Sequence, residues 1–269
     1  MRAEIRMMTT HVDKHTERVV PEALDGFVNL VNQQYLPIGV EHDPRVVPVG
    51  RLLSAHIVEL EDGEFAVDGI AEIFEDEDEI EFRDDGREIP LKELDEAIQI
   101  NPDRSYRYPE DQKLVEELSS LVDGEIQHQT KKAEEPISHL IIAASFVAGG
   151  IATGFLSKIG EDLWDVFKEK LNNLVNGKNR ICDDRLLSFE FIIEDEKNPL
   201  CLETILTNPN ESDISRFMQE GLKKLDKQTN HFFQHRHYVR KVIFEYKDNK
   251  LYVIYALRKD GVPLSISNE

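Results

Sequence analysis

From Leu140 to Ser157, "LIIAASFVAGGIATGFLS", no side chain carries a charge, and Ile137-Ser138-His139 extends the uncharged stretch back to Pro136. A run of that length approaches the roughly 20 residues a helix needs to cross a bilayer. Gly150 and Gly154 form a GxxxG among Ala143, Ala144, Ala148, Gly149 and Ala152, a small-residue surface on which two helix backbones approach closely. The pattern predicts a glycine-rich apolar helix over 137–158. Two placements stay open: a membrane span, or a buried helix through which copies of the chain self-associate at Gly150 and Gly154. The next stretch, "EDLWDVFKEKLNNLV", predicts an amphipathic helix over 161–175, with Leu163, Trp164, Phe167, Leu171 and Leu174 on one side and acids leading lysines. It fits a membrane interface or a packed position equally.

On either side the patterns change. In "SAHIVELEDGEFAVDGIAEIFE" the apolar–polar switching around Ile57, Phe65 and Val67 predicts two strands joined at Glu61–Gly63. Before them, Leu24, Phe27, Val28 and Val31 fall at helical spacing between Pro21 and Pro37. "IEFRDDGREIPL" predicts a second hairpin turning at Asp85-Gly86. "YPEDQKLVEELSSLV" predicts a helix opened by Pro109, with Leu114, Val115, Leu118 and Leu121 on its apolar face. Beyond Arg185, two strands ("LLSFEFII" and "LCLETILT"), a helix ("SDISRFMQEGLKKLDKQTNHFFQ") and two more strands ("YVRKVIFEY" and "KLYVIYALR") give a ββαββ pattern. The fold class is α+β, in three consecutive parts: a β-rich domain over 1–107, a helical segment over 108–180 and a ββαββ domain over 181–269.

Charge narrows the partners. Acidic residues outnumber basic ones 53 to 32, a formal net charge of −21, so a phosphate backbone is repelled and nucleic acid is an unlikely ligand. One basic neighbourhood, Lys223, Lys224, Lys227, Arg236, Arg240 and Lys241, is suited to an acidic partner. Cys182 and Cys201 lie outside any CxxC pattern, which fits a reducing compartment. The first residues lack the apolar core of a secretory signal. The expectation is a cytoplasmic chain, with membrane association left open by the apolar run. No metal site is expected. The "EDEDE" run at 75–79 lacks the alternating ligands and glycine of a calcium loop. His231 and His235 stand four residues apart without the glutamate of HExxH, and cations at a helix C-terminus have a dipole reason to be there. No cofactor is expected either.

The pieces "HVDKHTERVVPEAL" and "VEHDPRVVPVGRLLSAHIVELEDGEFAVDGIAEIF", in this order and around a short helix, resemble the opening half of the prohead (capsid-maturation) serine proteases of tailed bacteriophages. The similarity covers residues near 9 to 75. It implies a protease-like fold for the N-terminal part, with His42 at the position of the family's general base. The family's nucleophile is a serine on a later strand, in an S-x-G-F type context that this sequence lacks. Ser105, in "INPDRSYRYPED", is the nearest serine at a comparable place in the order, and no acidic third member is assigned. His42 has a plainer reading as a polar residue between Glu41 and Asp43 at a strand end before Pro44.

Three functions follow as expectations. The first is an interaction or regulatory protein that uses the protease-like part as a binding module for a protein or peptide and forms homo-oligomers through the central helix. The second is a serine endopeptidase with His42 as base and Ser105 as nucleophile. The third is a membrane-acting effector, of the kind used in antiphage defence, inserting the 140–157 helix.

Overall fold

Asp-Gly tolerates the positive φ of a tight turn, and the strands it separates here pair through alternating apolar residues. In the computed structural model Gly63 sits at φ 80°, Gly63 N–H donates to Leu60 O and Leu60 N–H to Glu64 O at 2.7 Å, closing the expected hairpin. The structure describes residues 1–12, 18–41, 43–75, 80–92, 94, 97–129, 137–147, 150–177, 182, 184–194, 198–233 and 238–264. The chain mixes helices and sheets as an α+β protein. It divides into two compact units, one of residues 1–90 with 257–265, the other of the intervening residues and the last four.

The first unit contains β1 (Arg2–Thr9), α1 (Pro21–Gln33), β2 (Leu36–Ile38), β3 (Gly50–Glu59) and β4 (Phe65–Ile73). The strands form an antiparallel sheet in the order β1-β4-β3-β2. Pro21 starts α1 where its missing N–H costs nothing. The helix buries Leu24 and Val31 against Leu52, Ala55, Val67 and Ala71 of the sheet. Asn32 ties helix to sheet, its Nδ2 donating to Ala55 O at 2.9 Å and its Oδ1 accepting from Ala55 N at 3.0 Å. At Asp85-Gly86 the turn forms, with Gly86 at φ 84°, but no strands flank it among the described residues. Asp85 there binds Arg87 and the Tyr35 hydroxyl, so side chains rather than a ladder hold the turn.

Arg51, at the end of "VVPVGR", is fully buried in this unit. Its Nε and Nη2 donate to Glu72 Oε2 at 2.9 and 2.7 Å, and its Nη1 meets the backbone oxygen and Oδ2 of Asp260 at 2.6 and 2.7 Å. The guanidinium also lies over the Tyr35 ring, 4.9 Å from its centre. Asp260, itself fully buried, accepts from Arg258 and from the Arg83 amide, and Arg83 reaches back to Glu72. Residues 257–264 belong to this unit for that reason. Ile89 N–H donates to Lys259 O at 2.7 Å, so the chain leaves the unit and re-enters it at adjacent positions.

The second unit holds β5 (Gln99–Pro102), α2 (Pro109–Leu121), β6 (Glu125–Ile126), β7 (Ile137–Val147), α3 (Ile151–Ile159), α4 (Trp164–Val175), β8 (Asp184–Glu194), β9 (Leu200–Thr207), α5 (Glu211–Arg216), α6 (Leu222–Phe233), β10 (Val239–Lys247) and β11 (Lys250–Arg258). A wide π turn, Phe217–Gly221, joins α5 to α6, and β11 passes into the first unit at Leu257. The strand order is β11-β10-β9-β8-β7-β5-β6. β7 runs parallel to β8 and β9 parallel to β10, so each pair needs a crossover, supplied by α3–α4 and by α5–α6. These crossovers bury one sheet face under aromatic rings: Phe155 of α3 meets Phe189 and Phe191 edge-on, and Phe217 meets Phe189 at 4.8 Å.

Two expectations are corrected here. The uncharged run is not a helix over 137–158. Residues 137–147 form an interior strand, and only 151–159 are helical. An interior strand with both faces covered reads as a continuous apolar run, without the period that separates strand from helix. Gly150, at φ 137°, makes the turn from one to the other. Accordingly, no helix among the described residues is long and apolar enough to cross a membrane. The boundary expected at 180 also disappears, because β7 and β8 are neighbours in one sheet. The ββαββ pattern of β8, β9, α5–α6, β10 and β11 is present as part of that larger sheet, and α4 follows a short 3-10 turn where the amphipathic helix was expected.

Burial by itself would raise the carboxyls of Asp260 and Glu72, but hydrogen bonds and charges from Arg258, Arg83 and Arg51 hold both below their ordinary values. Carboxyls so depressed contribute stability that is complete above the usual carboxylate range, about pH 4, and is lost as acid protonates them. Unfolding free energy is therefore expected to fall as pH drops below that range, and less steeply in Asp260→Asn. Arg51→Ala leaves the buried Asp260 and the partly buried Glu72 with only Arg258 and Arg83 as cations and is expected to lose about 3 kcal/mol in urea titrations at neutral pH.

Candidate functional site

Ser105 stands in a 3-10 turn, Arg104–Tyr106, that Asp103 caps. One oxygen of Asp103 accepts from both the Ser105 amide, at 2.9 Å, and the Ser105 hydroxyl, at 2.6 Å. The other accepts from the His139 amide at 2.6 Å. The Ser105 Oγ also lies 2.5 Å from the Ser138 Oγ, so β5's end, the turn and β7 are joined by one carboxylate and two hydroxyls. No imidazole among the described residues bonds this hydroxyl. His139 follows Ser138 on β7, and alternate strand residues face opposite sides. Its ring sits on the other face, Nε2 at 2.7 Å from Ser188 Oγ.

His42 lies outside the described residues. Its flanking loop belongs to the first unit and Ser105 to the second. Asp43, beside it, is bound by Arg45, Nη2 to Oδ2 at 2.7 Å. Gly154 faces inward along its own chain: a β-carbon there would come within 2.5 Å of the Phe146 ring. The α3 helix and β7 thus use that glycine for their own packing. The N-terminus of α3 is capped from α6, Asp226 accepting from the Ile151 and Ala152 amides. Residues 76–79 and 234–237 lie outside the described residues, as does the side chain of His231. No group of His, Cys, Asp and Glu among the described residues is placed to hold a metal ion.

The sheet face away from the aromatic crossovers carries a second polar assembly that the sequence reading passed over. Glu190 of β8 and Glu203 of β9 are register neighbours, both buried. Lys241 of β10 bridges them, Nζ at 3.0 Å from Glu190 and 2.8 Å from Glu203. Lys92 meets the other Glu190 oxygen at 2.7 Å, and Cys201 Sγ lies 3.5 Å from Glu190. Burial pushes the Glu190 carboxyl up, but the two lysines outweigh it and keep it well below the usual carboxylate range. Burial pushes Lys241 down, and the two carboxylates more than reverse that. The Cys201 thiol is pushed up, by burial first. These directions describe fixed charge: Glu190 ionised, Lys241 protonated, the Cys201 thiol neutral. The signal in the sequence was parity, since Glu190 and Glu203 interrupt otherwise apolar strands at positions facing the same side.

Comparison of the chain with protein-family models, with curated proteins and with solved structures gives no match.

Lys241→Met leaves Glu190 and Glu203 facing each other without their shared cation, and a loss of about 3–5 kcal/mol in chemical unfolding is expected. Iodoacetamide is expected to modify Cys182 in the folded chain and the buried Cys201 only after denaturation, read by mass spectrometry of tryptic peptides.

Proposed function

We propose that this chain is an interaction or regulatory protein, in which the N-terminal unit, with its resemblance to prohead proteases over residues near 9 to 75, is a binding module for a protein or peptide. The observation that carries this reading is the state of Ser105. A nucleophilic serine must pass its proton to a base and present its oxygen to a carbonyl carbon. The Ser105 hydroxyl is instead committed to Asp103 and Ser138 beside its own capping turn, the part a structural serine plays. The strongly acidic composition favours a partner with exposed basic residues over polyanions.

A fluorophosphonate probe separates this from hydrolysis. No labelling of the wild-type chain is expected, and labelling that disappears in Ser105→Ala would overturn the reading. Ser105→Ala is instead expected to lose about 1 kcal/mol in unfolding, the net worth of a typical hydrogen bond.

A further inference from the structure

We propose that β1 carries a self-association surface, its outer edge pairing antiparallel with β1 of a second copy in a register centred on Ile5. This goes beyond the binding of another protein and replaces the central run as the place where copies meet.

β1 is an end strand of its sheet, paired on one side with β4. Antiparallel pairs alternate between those that exchange backbone hydrogen bonds and those that do not. Met1 and Ile73 exchange theirs, Ile73 N donating to Met1 O and the Met1 amino group to Ile73 O. Counting by twos along the register, Ala3–Ala71 and Ile5–Gly69 do the same. The N–H and C=O groups of Arg2, Glu4 and Arg6 therefore point to the outer edge. Among the described residues no backbone hydrogen bond reaches them. The register shift between Arg6 and Met8 ends this regular stretch.

Symmetric pairing of two such edges must set outward-facing residues against outward-facing residues, which leaves few registers. Full overlap puts Glu4 against Glu4 and Arg2 against Arg6, like charges that repel across a sheet. Sliding by one pleat to centre on Ile5 puts Glu4 against Arg6 twice, by the two-fold axis. It sets Ile5 against Ile5 and Ala3 against Met7. Arg2, Glu4 and Arg6 are all exposed on one face of the sheet. Glu4 has no ionic partner among the described residues. Arg6 binds Asp68 through Nε and Nη2, leaving Nη1 for a carboxylate across the edge. The slide in the other direction, centred on Ala3, also pairs opposite charges, Glu4 with Arg2, but sets only Ala3 against Ala3 at its centre. The charge pattern that keeps foreign strands off an edge thus admits a copy of itself.

Sedimentation equilibrium of the full chain tests this. Wild type is expected to show a reversible monomer–dimer equilibrium. Glu4→Arg and Arg6→Glu are each expected to weaken it at least about tenfold, since each sets like charges opposite one another. Mixed together they are expected to recover a dimer, because every facing pair is then opposite in sign, and that recovery also shows both chains folded. Glu4→Pro removes an outward N–H without touching the β4 ladder and is expected to be monomeric with an unchanged thermal transition. A wild type monomeric throughout, a Glu4→Pro chain that dimerises like wild type, or folded charge variants that do not pair on mixing would overturn the proposal. An Arg6→Glu chain that dimerises normally while Arg2→Glu does not would overturn the Ile5 register in favour of the one centred on Ala3.

Discussion

A guanidinium removed from water must find carboxylates that face it in the right geometry, or the fold that buries it does not form. Arg51 meets that demand with Glu72 from the neighbouring strand and Asp260 from the far end of the chain. The planar fork suits the task, since it donates in several directions at once while its face packs on Tyr35. One of these partners follows from a local hairpin. The other requires the chain to come back after an excursion of some length, and the second unit is that excursion. The N-terminal unit is thus completed by residues that follow the second unit in the sequence.

The second unit sets a different problem. Its sheet is covered on one face by aromatic rings and carries on the other a row in which two acids, a histidine and a serine are buried and two lysines partly so. The aromatic face accounts for cohesion. The polar face is held neutral by pairing, and such pairs contribute more to the uniqueness of an arrangement than to its stability. Swapping register by one residue would carry Glu190 and Glu203 into the aromatic layer, a far worse place for a charge. The polar row therefore selects one alignment of β8, β9 and β10 among those that hydrophobicity alone would allow.

What was legible in the sequence was what is local. The Glu61–Gly63 turn, the proline-started helices at Pro21 and Pro109, and the amphipathic helix ending in Val175 depend on neighbours a few residues away. The strand over 137–147 was not legible, because its lack of charge comes from strands on either side that the sequence order does not place. Ser105 was singled out from a resemblance in order. Its bond to Asp103, two residues before it, was available from the Asp-x-Ser pattern as a turn and capping signal. Arg51 lay in plain view within "VVPVGR", yet its role depends on a residue 209 positions later. Glu190 and Glu203 were visible as interruptions, but only the register makes them neighbours.

The adjacency of Ile89 and Lys259 has a consequence for how the protein is made. On the ribosome, Arg51 emerges long before Asp260 exists, so its buried site has only one of its two carboxylates until Asp260 is made. The inserted unit is contiguous up to Ala256 and is available to fold first, as the N-terminal sheet waits with an open position beside Tyr35. Residues 257–264 then act as a closing piece, and the loop they close runs from Arg51 to Asp260, 209 positions apart. Loop-closure entropy grows only slowly with length, and in the finished unit the bond from Ile89 to Lys259 fixes the two crossing points beside each other. Of the two units, the one whose strands are made before the other's is thus completed after it.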